Sequence, residues 1–215
     1  MCGRYYVNDE MANEIENMIR QIDRTGRAKS SVPTDRRITA GDIFPGKDAP
    51  ILVENERHIG CEWQHWGFPL PQGPSLPQSR RLIFNARCES VLEKPLFRDS
   101  VRHRRIVVPA AGFYEWNCRK EKNTFRRKDD SVLFMAGLCR RYQDGEHFVI
   151  LTTCANASMQ PVHDRMPLIL ERDEIPAWIS DLASASRLLH KIPCLLERET
   201  DYEQLSLFAS RADEQ

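Results

Sequence analysis

Apolar residues recur along this chain with two spacings, and these spacings predict its helices and strands. In the first thirty residues they repeat every three or four positions, which is typical of one face of a helix. The apolar positions of this stripe are Met11, Ile15, Met18, Ile19 and Ile22. Asn8 stands where a helix N-cap is expected and Gly26 where the helix ends. We therefore predict an amphipathic first helix that packs its apolar face on the core.

Later in the chain, short apolar runs bounded by turn residues predict a series of strands. These strands are 50–66 (two strands joined near 54–57), 106–109, 112–116, 132–142, 147–155 and 168–170. The two long runs 132–142 and 147–155 flank Asp144-Gly145, a pair typical of a tight β-hairpin turn. Helical patterns return around 175–179 and 182–191, whereas residues 25–48 and 67–81 predict loops.

The order of these elements predicts the fold class α+β, with a mainly antiparallel β core and peripheral helices. No clear linker divides the chain, so residues 1–196 are expected to form a single domain. Residues 197–215 are polar and are expected to form a flexible tail. No apolar run is long enough to span a bilayer and the first residues contain no secretory signal, which predicts a cytoplasmic protein without a membrane partner.

Seven cysteines are scattered through the chain without metal-ligand spacing. No CxxC pair occurs, and no group of Cys and His has the spacing of a structural zinc site. We therefore expect no metal and no cofactor. In a reducing compartment most of these cysteines are expected to be small buried apolar residues.

Charge is unevenly distributed in a chain whose formal net charge is zero. The segment 80–128 contains fourteen Lys and Arg but five acidic residues, a net charge of +9, and the rest of the chain carries the opposite charge. A basic segment in a neutral protein is expected where phosphates are bound locally. Within it, Arg102-His103-Arg104-Arg105 is equally compatible with an ordinary solvated surface.

Cys2 follows the initiator methionine, and removal of Met1 would leave an amine and a thiol on adjacent carbons. Their reference pKa values are roughly 8 and roughly 8.5, so both reactive forms exist near neutral pH. Such an aminothiol converts an aldehyde first to an imine and then to a five-membered thiazolidine. The alternative is that Cys2 is merely the second residue, because thiols become functional only in suitable surroundings.

Four sequence blocks surround this chemistry and extend over most of the chain. The blocks are Met1-Cys2-Gly3-Arg4, Asn85-Ala86-Arg87-Cys88-Glu89, Gly112-Phe113-Tyr114-Glu115-Trp116 and His163-Asp164-Arg165-Met166-Pro167. In this order and spacing they resemble the SRAP (SOS response-associated peptidase) family of abasic-site-processing proteins. The resemblance implies an SRAP-like domain that senses abasic sites in single-stranded DNA during repair at the nucleoid.

The resemblance also implies a role for each catalytic candidate. Cys2 would be the nucleophile that forms a covalent DNA–protein crosslink, and Asn85 would position its amine and the sugar. Glu115 would be the general acid and base, also in releasing Met1 as a self-peptidase. His163 would aid proton transfer and strand cleavage as an abasic-site lyase. A carboxylate and an imidazole are suited to moving protons near neutral pH.

Four further residues are assigned to DNA. Arg4 and Arg87 would hold the phosphates that flank the lesion, since a guanidinium binds phosphate with two parallel hydrogen bonds. Arg165 of the fourth block is also expected to bind DNA, and Trp116 would stack on a base.

Each assignment has a structural alternative. Glu115 could be a surface acid on an edge strand, and His163 could cap a turn before Pro167. Asn85 could be a plain turn residue, and Trp116 could belong to the core. The chain also departs from the family pattern after Trp66-Gly67, where the family's usual tryptophan is missing.

The C-terminal segment resembles a second known element, the pentapeptide that binds the bacterial sliding clamp. It reads Gln204-Leu205-Ser206-Leu207-Phe208. The apolar side chains of Leu205, Leu207 and Phe208 suit insertion into a groove of the replication clamp. The alternative is that they pack on the domain.

Two other function classes are compatible with parts of the sequence. An N-terminal-cysteine amidohydrolase of the glutaminase type also begins Met-Cys-Gly, but Arg4 follows here and no Asn precedes Gly. A non-catalytic single-strand DNA-binding protein would use the basic segment alone and would bind reversibly. A peptidase that acts on other proteins is implied only by the family name.

Overall fold

The computed structural model describes residues 2–24, 37–55, 58–70, 82–129 and 131–200 of the 215 residues. Side chains are described for these residues except 18–24, 55 and 58. Three residues of the predicted helical stripe therefore have no described side chain, namely Met18, Ile19 and Ile22. Two predicted segments lie outside the described residues, namely most of the loop 67–81 and the pentapeptide 204–208.

Fifteen strands and four α-helices make up the described part of the chain. The strands are β1 (Tyr5–Val7), β2 (Gly41–Ile43), β3 (Asp48–Asn55), β4 (His58–Trp66), β5 (Phe68–Pro69), β6 (Leu82–Ile83), β7 (Asn85–Arg87), β8 (Arg105–Ala110), β9 (Gly112–Trp116), β10 (Lys122–Arg126), β11 (Leu133–Tyr142), β12 (Gly145–Cys154), β13 (Arg165–Pro167), β14 (Ile169–Leu170) and β15 (Glu197–Thr200). The helices are α1 (Asp9–Arg24), α2 (Arg98–His103), α3 (Ile175–Ser180) and α4 (Leu182–Leu188). The predicted α+β class with a mainly antiparallel β core is confirmed.

Five strands close into a barrel in the order β12, β4, β3, β8, β11 and back to β12. The hairpins β3–β4 and β11–β12 are those predicted from the two apolar runs on each side of a turn. The β12–β4 pairing is parallel and joins distant parts of the chain. The barrel strands β8, β11 and β12 are buried along most of their length, as expected for strands covered on both faces, whereas β4 mixes buried and half-buried positions.

A five-stranded antiparallel sheet, in the order β15, β10, β9, β1, β2, covers the barrel. Phe113 and Phe125 stack at 5.3 Å between ring centroids on its buried face. Tyr5 of β1 lies 5.1 Å from Trp66, and Trp66 stacks on Phe148 of the barrel at 6.1 Å. These aromatic contacts join the sheet to the barrel in one continuous core.

The first helix begins as predicted, because the Asn8 side chain accepts a hydrogen bond of 2.9 Å from the backbone N–H of Met11. Met11 and Ile15 of the stripe are buried in the core. None of the helices within the described residues is long and apolar enough to cross a membrane.

Two predicted boundaries differ from the structure. Gly41–Ile43 forms β2 inside the segment predicted as a loop, because β1 supplies the pairing that three residues cannot provide alone. Glu197–Thr200 forms β15 against β10, so the folded domain continues at least four residues past the predicted boundary at 196. The flexible tail predicted from residue 197 can therefore begin no earlier than residue 201.

Arg105 is the member of the basic cluster 102–105 that departs from the solvated-surface interpretation, whereas Arg102, His103 and Arg104 are exposed as that interpretation expects. The Arg105 guanidinium is buried and donates hydrogen bonds of 2.6 to 2.7 Å to the carbonyl oxygens of Val101, Arg102, Trp178 and Ile179. These carbonyls lie at the C-terminal ends of α2 and α3, where a cation is favoured and acceptors need partners. Arg105 thus joins two helices to the barrel.

Candidate active site

Cys2 is a buried residue at the start of the covering sheet. Its side chain is 1% exposed, and its Sγ lies 3.8 Å from the carbonyl oxygen of Arg4. Burial, and next the negative charge of Glu115, raise the pKa of the Cys2 thiol to about 12. The thiol is therefore protonated at neutral pH in this form of the chain, which still contains Met1. Met1 itself lies outside the described residues.

Asn85 holds the backbone of Cys2 from the barrel side. Its Nδ2 donates a hydrogen bond of 2.9 Å to the carbonyl oxygen of Cys2. Its Oδ1 is shielded from solvent and accepts no hydrogen bond from the described residues. Asn85 is the first residue of β7 rather than part of a turn, so the turn interpretation is wrong. The amide thus presents an open acceptor beside the nucleophile.

Glu115 lies on the buried face of β9, in the middle of the covering sheet. Its side chain is 6% exposed, and Oε1 accepts a hydrogen bond of 3.4 Å from the backbone N–H of Trp116. β9 is flanked by β1 and β10, so Glu115 is neither on an edge strand nor on the surface. The surface-acid interpretation is wrong, and the carboxylate acts electrostatically on Cys2.

Strand pairing brings the first and third sequence blocks together. β1 pairs β9 with Tyr5 opposite Phe113, and the backbone N–H of Tyr114 donates 3.0 Å to the carbonyl oxygen of Arg4. These contacts connect Arg4 and Tyr5 to Phe113 and Tyr114, the two residues before Glu115. The two blocks are far apart in sequence and are neighbours in the sheet.

The second and fourth blocks meet on opposite edges of one strand. β12 pairs β7 in parallel on one side and β13 on the other, so Thr152 lies between Arg87 and Pro167. Arg165 then closes the arrangement with two hydrogen bonds to the Glu89 carboxylate, of 2.6 and 2.8 Å. Because Asn85 of the second block binds Cys2, all four blocks are joined in one assembly.

Arg165 is engaged by protein atoms through both terminal nitrogens of its guanidinium, whereas its buried Nε has no hydrogen-bond partner among the described residues. Besides the Glu89 carboxylate, its guanidinium donates 2.6 Å to the carbonyl oxygen of Thr152 and contacts Cys154 Sγ at 3.5 Å. The side chain is 8% exposed. These contacts support a structural role in joining β7 to β13, and its predicted contact with DNA stays a prediction.

His163 lies in the turn before β13 and is a quarter exposed. Its Nδ1 accepts a hydrogen bond of 2.9 Å from the backbone N–H of Arg165, and the Asp164 carboxylate lies 2.8 Å from the same nitrogen. The first contact is the turn-capping role foreseen as the structural alternative. The predicted reactive role of His163 stays a prediction.

The predicted DNA contacts Arg4 and Trp116 lie on the outer part of the covering sheet. Arg4 forms an ion pair with Asp42, and its guanidinium lies over the rings of Phe44 and Tyr114 at 4.8 and 5.0 Å. Trp116 is 37% exposed, so its interpretation as a core residue is wrong. An exposed indole and a stacked guanidinium are groups suited to bases and phosphates.

Arg87 ends β7 and is also exposed, in contrast to the buried Ala86 before it. Within the described residues, no group of three His, Cys, Asp or Glu side chains is placed to hold a metal ion. The candidate reactive groups named from the sequence are a thiol, an amide, a carboxylate and an imidazole.

Sequence reasoning missed residues that support the site from inside the core. The Trp66 indole N–H donates 2.9 Å to the carbonyl oxygen of Phe84, which fixes the backbone just before Asn85. Tyr5 packs on Trp66 and is completely buried. Their apolar character and strand position predict only core residues, so no local signal separates them from other aromatic residues of the core.

The fold is thus a barrel covered by a sheet, and its candidate site is a buried cysteine that is held by an amide and influenced by a carboxylate. The family model for SOS response associated peptidase (SRAP) matches residues 1–207. The chain belongs to the SRAP family.

Curated relatives in this family are named abasic site processing proteins. YoaM of Bacillus subtilis is 25% identical over 189 residues, which cover 84% of this chain and 79% of that protein. YedK of Escherichia coli is 25% identical over 187 residues, covering 83% and 79%. HMCES of Xenopus tropicalis is 27% identical over 193 residues, covering 69% of this chain and 57% of that protein.

Solved structures share the fold. A protein from Bacteroides thetaiotaomicron superposes with a TM-score of 0.73 at 20% identity, covering 93% of this chain and 91% of that chain. A protein from Bordetella bronchiseptica gives 0.69 at 21% identity, covering 93% and 99%. These similarities concern the architecture of the barrel and its covering sheet.

Proposed function

We propose that this chain processes abasic sites in single-stranded DNA by capturing the sugar aldehyde on Cys2 after Met1 has been removed. The observation that carries the proposal is the joining of all four blocks in one assembly, in which Asn85 binds the backbone of Cys2 and Glu115 acts on its thiol. The names of the curated relatives support the substrate class.

The reaction needs two steps and no external oxidant. The Cys2 amine adds to the aldehyde carbon, and loss of water gives an imine. The sulfur then attacks the imine carbon and forms the C–S bond of a thiazolidine, while the nitrogen takes the electron pair of the C=N bond and the proton that sulfur gives up. The product is a covalent DNA–protein crosslink with the same oxidation state as its reactants.

Asn85 and Glu115 suit the first of these steps. With its Nδ2 on the Cys2 carbonyl, Asn85 has an open Oδ1 for an N–H of the freed amine and would hold it in one orientation. A buried carboxylate beside the amine can accept a proton from the attacking nitrogen and return it to the departing water. In the same proposal, Glu115 assists cleavage of the Met1–Cys2 bond and His163 assists strand cleavage by β-elimination.

Mass spectrometry of protein that begins at Cys2, incubated with single-stranded DNA containing one abasic site, tests this function. We expect a mass increase equal to the DNA less one water, stable to heat, and none with Cys2→Ala. Single-stranded DNA of the same sequence without the abasic site is the substrate control. No adduct from protein confirmed to begin at Cys2 would contradict the proposal.

The same preparations separate the rival functions. An amidohydrolase of the glutaminase type would release ammonia from glutamine, and Cys2→Ala would abolish this release. A non-catalytic DNA-binding protein would bind DNA with or without the abasic sugar, reversibly and with strong salt dependence. Neither the amidohydrolase nor the non-catalytic DNA-binding protein is expected to form an adduct that requires both Cys2 and the aldehyde.

We further propose that Gln204, Leu205, Leu207 and Phe208 tether the protein to the replication sliding clamp. The support is the sequence alone, because these residues lie outside the described part of the chain. Deleting residues 204–208 is expected to abolish co-purification with the clamp while leaving crosslinking to abasic DNA unchanged. Equal recovery of the clamp with the deleted chain, or none with the intact chain, would refute the tether.

A further inference from the structure

Tyr5 is a completely buried residue whose hydroxyl group forms no hydrogen bond within the described part of the chain. Its ring packs on Trp66 at 5.1 Å, so the side chain is fixed inside the site rather than turned toward solvent. An unpaired buried hydroxyl is unfavourable for folding, and phenylalanine would fill the same space without it. A polar atom kept in such a place calls for a partner in the working protein.

The surroundings of Tyr5 keep its hydroxyl protonated. Burial, and next the negative charge of an ionised Cys2, raise the pKa of Tyr5 well above its ordinary value. The phenol is therefore a neutral hydrogen-bond donor throughout the range in which the protein works. Contacts place the Tyr5 ring beside the site. Tyr5 packs on Trp66, whose indole N–H binds the Phe84 carbonyl oxygen next to Asn85, and Asn85 in turn binds the backbone of Cys2.

The Cys2 sulfur needs such a donor when it ionises. As a thiol it can donate its proton toward the carbonyl oxygen of Arg4, which lies 3.8 Å away. A thiolate has no proton to donate and is repelled by that carbonyl. The Asn85 Nδ2 is already engaged by the Cys2 carbonyl, and the Glu115 carboxylate adds further negative charge.

We propose that the Tyr5 hydroxyl donates a hydrogen bond to the Cys2 sulfur when the sulfur leaves the Arg4 carbonyl and attacks the imine. This inference rests on the proposed function and adds a residue to its second step. The sulfur gives its proton to the imine nitrogen and forms the C–S bond, and the phenol keeps its own proton. Tyr5 thereby lowers the energy of the buried, negatively charged sulfur during ring closure.

Tyr5→Phe removes only the oxygen atom, and Tyr142→Phe is its matched control. The Tyr142 hydroxyl is also buried without a hydrogen bond in the described structure, but it lies in β11 against Phe68 and the His147 ring. We measure thiazolidine formation in single turnovers from pH 6 to 10, with borohydride trapping to quantify the imine. Thermal unfolding of each variant is measured in parallel.

A hydrogen bond to a charged group predicts that Tyr5→Phe slows ring closure tenfold to a hundredfold, with imine formation unchanged. Because the thiolate of Tyr5→Phe lacks a stabilising donor, the pH at which the rate of ring closure rises is expected to be higher in this variant than in the parent chain. Tyr142→Phe is expected to match the parent chain, and neither variant is expected to unfold at a lower temperature. A closure rate and pH profile of Tyr5→Phe equal to those of Tyr142→Phe would overturn the inference.

Alkylation of Cys2 by iodoacetamide, followed on the Cys2 peptide, separates this inference from the proposed function. It reports the thiolate without DNA, and Tyr5→Phe is expected to shift its pH profile upward. If the parent chain forms no DNA adduct, the proposed function fails, and an unshifted alkylation profile then also excludes the Tyr5–Cys2 hydrogen bond. A shift without any adduct would preserve the hydrogen bond and refute only its role in closure.

Discussion

Replacing Glu89 by glutamine measures how strongly the ion pair with Arg165 holds the second and fourth blocks together. The carboxylate accepts two hydrogen bonds of 2.6 and 2.8 Å from a guanidinium whose side chain is 8% exposed. The amide introduced by Glu89→Gln would keep one oxygen acceptor but lose the charge and the second acceptor. The buried guanidinium would remain without its counter-ion, which is unfavourable.

The size of the effect follows from the pKa of Glu89. Hydrogen bonds from Arg165 lower this pKa from 4.5 to about 2. At about 1.4 kcal/mol for each pKa unit, this corresponds to about 3.5 kcal/mol as an upper limit. Glu89 is itself 48% exposed, and solvent screening reduces the value. We therefore expect a loss of about 1 to 2 kcal/mol in the free energy of unfolding at pH 7.

The pH dependence has a defined sign. A carboxyl group whose pKa is lowered on folding stabilises the folded state above its unfolded pKa and loses this contribution as the pH falls. The difference between the parent chain and Glu89→Gln is therefore expected to be complete above about pH 5. It should shrink steadily as the pH falls from there toward about 2.

Urea unfolding followed by tryptophan fluorescence between pH 7 and pH 3 tests this prediction. Glu197→Gln is the control, because Glu197 pairs with Arg126 through one contact of 3.1 Å between partly exposed side chains. Its expected effect is below about 0.5 kcal/mol. A Glu89→Gln effect as small as the control, or one that does not change with pH, would refute the argument.

Three further predictions concern the core, the covering sheet and the DNA surface. Arg105→Met should lower the free energy of unfolding in urea by about 3 kcal/mol or more, because four carbonyl groups lose their donor. Arg102→Met, at an exposed position, should change this free energy by less than about 0.5 kcal/mol. Gly112→Ala should lower the melting temperature in calorimetry by several degrees, because the Cβ of the alanine would lie 2.5 Å from the carbonyl oxygen of Phe125. An unchanged melting temperature would contradict this close approach. Trp116→Ala should weaken binding to single-stranded DNA by about 1 to 3 kcal/mol in fluorescence anisotropy with the free energy of unfolding unchanged, and equal affinity would exclude base stacking.

Local patterns in the sequence predict much of the fold. The Asp144-Gly145 turn and the apolar runs on each side of it define β11 and β12, and Asn8 caps α1. These elements are determined by contacts between residues close in sequence. Their physical signals, namely a turn that needs Gly and a cap that needs a side-chain acceptor, are present in the residues themselves.

Elements that depend on a distant partner could not be predicted in this way. Gly41–Ile43 and Glu197–Thr200 become strands only because β1 and β10 offer free edges. The parallel pairing of β7 with β12 has no signal in either segment. The closed barrel likewise follows from pairings that no single window of sequence contains.

The candidate site shows the same division. The four blocks could be found from their residues, but whether Glu115 is buried or exposed depends on the position of β9 in the sheet. The bridge between Glu89 and Arg165 depends on β12 lying between their strands. Sequence therefore indicates which residues take part, and the tertiary pairing determines what surrounds each one.

The position of β1 in the covering sheet has a consequence for the order in which the protein matures. β1 pairs β9, whose residues are synthesised more than a hundred positions later. Closing so long a loop is entropically unfavourable, and it becomes favourable only when the barrel offers a finished surface. During synthesis the edge of β1 that pairs with β9 therefore remains unpaired until residue 116 has left the ribosome, although β2 can pair with the other edge earlier. The surroundings of Cys2 are among the last parts of the molecule to form, so a chain arrested midway carries the cysteine without Glu115.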